Sequence, residues 1–107
     1  EIPWERPGIR HVSFSYAIQV KQGAPFKKQA LQDYLESQGV ETRPNEAGNM
    51  PEQPAMMQIR HRIAGELKNA EYIHHNSFFY GNHQGIGERE REAIVGYVHE
   101  FMKEYGL

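Results

Sequence analysis

The stretch "SFSYAIQV", residues 13–20, carries the clearest strand pattern in this chain of 107 residues. Apolar or aromatic side chains occupy every second position, and small or polar ones lie between them. The apolar face consists of Phe14, Tyr16, Ile18 and Val20. A period of two predicts a strand with one buried face. A glycine and a proline in residues 21–25 then end the strand.

The segments that follow alternate between helical and strand patterns. Apolar residues recur at helical spacing from Phe26 to Leu35, ahead of Gly39, and again from Ile94 to Tyr105. Residues 40–43 and 77–80 read as short strands, and residues 54–76 fit short helical pieces, one of them around 69–75. We therefore predict an α/β domain, more narrowly a two-layer α+β sheet of about three strands with helices on one face.

Composition excludes several classes of function. The chain is 38% hydrophobic with a net charge of -2, so binding to nucleic acid through a basic surface is not expected. It contains no cysteine, which rules out disulfides, thiolate zinc sites and cysteine nucleophiles. No apolar run is long enough to cross a bilayer, and no secretory segment is visible. We expect a cytoplasmic protein without a membrane partner.

The loop "ETRPNEAGNMPEQP", residues 41–54, is polar and holds one arginine, Arg43, at the end of a predicted strand. A guanidinium can recognise a carboxylate or a phosphate through two parallel hydrogen bonds. Most surface arginines instead pair with a nearby glutamate, and from the residues alone we favour that interpretation.

The chain has six histidines, and His74 and His75 are adjacent. Neighbouring residues on a helix point about 100° apart, so we interpret these histidines as surface or hydrogen-bonding groups and predict no metal site. The loop "GNHQGIG", residues 81–87, has three glycines before a helix but lacks the lysine of a phosphate loop. It favours a plain turn into the helix, whose backbone N–H groups remain an alternative site for an anion.

A series of short motifs occurs in a recognisable order. These are the helix start "PF", "GVETR", "AGN" followed by "QP", "LKNAEYI", "NSFFYGNH" and a closing amphipathic helix. In this order they resemble the C-terminal small domain of the DegT/DnrJ/StrS family of pyridoxal-phosphate-dependent nucleotide-sugar aminotransferases. The sequence is most similar to the branch of CDP-4-keto-6-deoxyglucose 3-dehydratases. On this resemblance residues 12–107 are the small domain, and residues 1–11 link it to a missing N-terminal domain.

The resemblance implies that the cofactor and the catalytic groups lie outside this chain. In the family a larger N-terminal domain holds pyridoxal phosphate, its lysine or the replacing histidine, and an aspartate. We therefore expect no catalytic residue here, and a homodimeric parent that transaminates or dehydrates a nucleotide-diphosphate keto sugar. Position by position, the resemblance implies that Arg43 binds a phosphate or a sugar hydroxyl. Asn49 and Gln53 would bind sugar oxygens, and Asn82 and His83 would approach the same cleft.

A different class of function stays open. The alternative to the enzyme domain is a free-standing small α/β module whose loop binds a peptide or a small ligand. Because the sequence begins at Glu1 rather than at a methionine, we favour a piece of a longer protein.

Overall fold

The fold is built on a three-stranded antiparallel sheet. A computed structural model describes residues 5–107, so the first four residues of the expected linker lie outside it. The strands are β1 (Ser15–Gln19), β2 (Thr42–Pro44) and β3 (Ser77–Gly81). Their order is β1-β3-β2, and both outer strands run antiparallel to β3. The elements β1, α1 and β2 follow one another in the chain, but β3 lies between the two strands.

Helices and turns connect these strands. The helices are α1 (Lys28–Ser37), α2 (Lys68–Asn76) and α3 (Glu88–Glu104), and two short 3-10 turns span Met50–Glu52 and Pro54–Gln58. The predicted small sheet with helices is confirmed. No helix among residues 5–107 is long and apolar enough to cross a membrane.

The core lies between the sheet and the helices α1 and α3. Phe78 on β3 is fully buried and packs with Leu31 and Leu35 from α1 and with Phe101 from α3. Side chains on a strand alternate between faces, so Ile18, which lies opposite Phe78 in the register, joins the same layer. The helical spacing seen in the sequence places Leu31 and Leu35 one turn apart on one face of α1.

The apolar face predicted for β1 is only half covered. Val20 is buried and Ile18 is half-buried, whereas Phe14 is 69% exposed and Tyr16 is 41% exposed. A cleft of about 340 Å³ separates Tyr16 from the residues of α3, so the helix does not close over this end of the sheet. Tyr16 stacks instead on Tyr80 of the neighbouring strand, with the ring centroids 5.3 Å apart.

We predict that Phe78→Ala lowers the free energy of unfolding by about 3–5 kcal/mol, because it leaves a cavity at the centre of the core. Phe14→Ala is the matched control. Its ring is mostly exposed and makes an edge contact with Phe79 at 5.8 Å, so its loss should be about 1 kcal/mol. Urea denaturation of the two variants measures both losses. Equal losses would contradict this description of the core.

Candidate functional site

The polar loop after β2, residues 45–53, has a defined backbone. The Gly48 N–H donates to the Asn45 carbonyl at 2.8 Å, and the Gln53 side-chain amide donates to the Ala47 carbonyl at 2.5 Å. Gly48 has a φ of 60°, a left-handed conformation that glycine adopts at little cost. The loop therefore folds back on itself through its own hydrogen bonds.

Asn49 attaches this loop to the end of α2. It is buried, and its side-chain amide donates to Glu52 Oε1 at 2.7 Å. Its backbone N–H donates to His74 Nδ1 at 3.3 Å. A Cβ on Gly48 would overlap the His74 ring, so the glycine is required by this close approach as well as by its backbone angle.

Glu52 lies between the two adjacent histidines. Its Oε2 is 2.8 Å from His75 Nε2 and 3.9 Å from His74 Nε2. The hydrogen bond from Asn49 is the main cause that lowers the pKa of the Glu52 carboxyl. Partial burial opposes this shift, and the two nearby histidines reinforce it. The expectation that His74 and His75 diverge is wrong, because both imidazoles turn toward a carboxylate from another segment.

Lys28 ties α1 to the end of α2. Its Nζ donates to the carbonyl of His74 at 2.5 Å and contacts that of Ser77 at 3.4 Å. Burial lowers the pKa of this amine. The contact uses backbone acceptors that the last turn of a helix leaves without intrahelical partners.

Arg43 pairs with its neighbour Glu41. Its Nη2 and Nε lie 2.5 and 2.9 Å from the same Glu41 oxygen, and both side chains are mostly exposed. The interpretation favoured from the residues alone, a surface ion pair, is confirmed. The role that the resemblance implies for Arg43 stays a prediction.

The loop 81–87 is held at both ends. The Asn82 side-chain amide donates to the Ser13 carbonyl at 2.9 Å, and His83 Nδ1 accepts the Gly85 N–H at 3.1 Å. Where α3 begins, the Glu90 carboxylate accepts the Gly87 N–H at 2.8 Å. This is the geometry of a turn into a helix, so the favoured interpretation of this loop is confirmed.

The five predicted site residues do not line one cleft in the described part of the chain. Arg43 and His83 border a cleft of about 550 Å³ at the start of α3, and Asn82 borders the 340 Å³ cleft beside Tyr16. Gln53 borders a third cleft of about 300 Å³, next to His74 and His75. Asn49 borders none of the three.

Strand direction explains this division. The end of β2 at Pro44 pairs with Phe78 near the start of β3, so the loop after β2 and the loop after β3 leave opposite ends of the sheet. Glu52 was not among the predicted site residues, and His74 and His75 were interpreted as surface or hydrogen-bonding groups. The available signal was the spacing of Asn49 and Glu52, three residues apart around a turn-forming proline.

Comparison with known proteins identifies the family. Residues 2–99 match the DegT/DnrJ/EryC1/StrS aminotransferase family. The chain belongs to this family, and the resemblance inferred from its motifs is confirmed.

The matched relatives are much longer than this chain. It is 34% identical over 83% of its length to dTDP-4-dehydro-2,6-dideoxy-D-glucose 3-dehydratase of Saccharopolyspora spinosa, of which it covers 19%. It is 27% identical over 83% of its length to the lipopolysaccharide biosynthesis protein RfbH of Salmonella typhimurium, of which it covers 20%. The chain therefore spans about one fifth of the curated relatives it matches.

A solved structure has the same fold. E coli GDP-4-keto-6-deoxy-D-mannose-3-dehydratase, with bound hydrated PLP, superposes with a TM-score of 0.64 and 27% sequence identity. The match covers 78% of this chain and 21% of that one.

The clefts in the described part of the chain differ in whether a lysine borders them. No lysine borders the two larger clefts. The lysine at the third, Lys28, directs its amine toward two backbone carbonyls.

We predict that Gly48→Ala destabilises the protein more than Gly39→Ala. Both glycines have positive φ, so both substitutions carry a backbone cost of about 1 kcal/mol. A Cβ at Gly39 meets no atom within 4 Å, whereas one at Gly48 overlaps the His74 ring. The difference between the two losses in urea denaturation isolates the contact with His74. Identical losses of unfolding free energy would show that Gly48 is not in close contact with the His74 ring.

Proposed function

We propose that this chain is the C-terminal small domain of a larger enzyme that depends on pyridoxal or pyridoxamine phosphate. The parent acts on a nucleotide-linked keto-deoxy sugar in deoxysugar, aminosugar or lipopolysaccharide biosynthesis. One observation carries the proposal: residues 2–99 match the family, while the chain spans only about one fifth of its matched relatives.

The names of the relatives favour dehydration at C-3 over transamination as the parent's reaction. One of the two relatives described above and the matched structure are called 3-dehydratases. The cofactor, when bound in the remainder of the parent, supplies the stabilisation of negative charge on carbon. The residues of this chain bind and orient the sugar nucleotide and keep water from the site. The parent is proposed to be a homodimer.

The hydrogen bonds of two predicted binding residues support different proposed roles for them. The amide of Asn49 is committed to Glu52 and its backbone N–H to His74, so we assign Asn49 to holding the loop in place. Arg43 is mostly exposed, and its ion pair with Glu41 is easily exchanged for a phosphate because surface pairs contribute little. Arg43 is therefore the residue of this chain that we assign to direct substrate contact.

Exposed apolar residues support the presence of a covering partner. Met57 is exposed in the second 3-10 turn, and Ile59 and Ile63 are exposed in the segment between that turn and α2. Apolar side chains concentrated in this way are typical of a surface that packs on another domain. This favours the domain of a larger enzyme over the free-standing binding module.

We predict that the isolated chain gives no saturable absorbance change with pyridoxal phosphate. Free lysines form adducts whose amount rises in proportion to the concentration of the reagent, and only that background is expected. A stoichiometric complex that saturates would place the cofactor site within residues 1–107 and contradict the proposal that the remainder of the parent enzyme binds the cofactor. The measurement is a spectrophotometric titration.

We further predict that Arg43→Gln in the full-length enzyme raises KM for the nucleotide sugar by about 10- to 100-fold, with a smaller effect on kcat. This range corresponds to the loss of a hydrogen bond between charged groups, about 1.5–3 kcal/mol. Arg89→Gln, a change of the same kind at an exposed position on α3, is the control and should leave KM unchanged. If the two variants behave alike, Arg43 does not contact the substrate.

A further inference from the structure

Three metal-ligating side chains converge from two separate segments of the chain. Glu52 ends the first 3-10 turn, and His74 and His75 lie in the last turn of α2. One ligand atom from each lies within 4.8 Å of the others. We propose that these three side chains form a binding site for a divalent transition-metal ion of the Zn²⁺ type. The proposal concerns a second site and does not depend on the proposed enzyme activity.

The donor set suits such an ion. Two imidazoles and one carboxylate are ligands that zinc uses where three protein groups leave one position to water. With metal–ligand bonds of about 2.0–2.1 Å, ligand atoms at the corners of a tetrahedron lie roughly 3.3 Å apart. The distances from Glu52 Oε2 to the two imidazole nitrogens, 2.8 and 3.9 Å, lie on either side of this value. The ligand atoms of the two imidazoles lie within 4.8 Å of each other, so side-chain rotation is needed to bring all three ligand atoms to this spacing.

The surroundings orient the ligands as an outer shell does in metal sites. The Asn49 amide binds Glu52 Oε1, which leaves Oε2 directed at both histidines. Lys28 holds the carbonyl of His74 and so fixes the end of the helix that carries both imidazoles. The 300 Å³ cleft beside the histidines gives access from solvent and room for a water ligand.

Metal binding is coupled to the loop through His74. Its Nδ1 accepts the Asn49 N–H, so its Nε2 carries the ring proton while no ion is bound. An ion at Nε2 requires that proton to move to Nδ1, and a protonated Nδ1 no longer accepts the 3.3 Å hydrogen bond from the Asn49 N–H. Metal binding therefore removes the weak hydrogen bond between Asn49 and His74 and replaces it with a metal ion that links the loop 45–53 to α2.

The test is a calorimetric titration of the untagged, chelator-treated full-length protein with Zn²⁺. We expect one saturable site per chain. His75→Gln should weaken Zn²⁺ binding about tenfold or more, and Glu52→Gln should weaken it as well. His61→Gln, an exposed histidine outside the cluster, is the matched control and should bind as the wild type does. His75 is itself largely exposed, so its replacement leaves the fold intact, which circular dichroism checks.

Co²⁺ supplies a second readout that is independent of turnover. A four-coordinate site gives strong visible absorption with Co²⁺, and this absorption should appear in the wild type and in His61→Gln but not in His75→Gln. The proposal is overturned if Zn²⁺ does not bind, or if His75→Gln binds it as tightly as the control. Either result leaves the proposed role in sugar chemistry untouched, because that role uses other residues.

Discussion

The burial of Phe78 on the central strand is the interaction on which the rest of the structure depends. β3 supplies hydrogen bonds to both outer strands, and Phe78 is its one fully buried side chain. The helices α1 and α3 meet over this ring through Leu35 and Phe101. A slip of one residue in β3 would turn Phe78 to the other face and remove the core, so the register of the whole sheet is tied to this side chain.

This arrangement also decides where the loops go. Because β2 and β3 are antiparallel, the loop after β2 approaches α2, and the loop after β3 approaches the start of α3. Two polar regions that look equivalent in the sequence are thereby separated.

The polar loop illustrates how a segment without a core of its own becomes ordered. Asn49 is buried although it is polar, and its cost of burial is offset by hydrogen bonds to Glu52 and His74. Gly48 permits the close approach of backbone and imidazole that these bonds require. The order of the loop thus depends on α2, which begins well after the loop in the chain. Local sequence patterns do not predict the contact between the loop and this helix.

Much of the fold was readable from periodicity alone. Alternation predicted β1 and helical spacing predicted α1 and α3, because each pattern depends on residues close together in the chain. The family was indicated by the resemblance that its series of motifs carries. The pairing of β3 between the other strands, the half-covered face of β1 and the meeting of Glu52 with His74 and His75 were not readable in this way. They depend on the direction of strands and on contacts between segments that are far apart in the chain. A pattern of period two or 3.6 specifies neither of these, because both are set by tertiary packing.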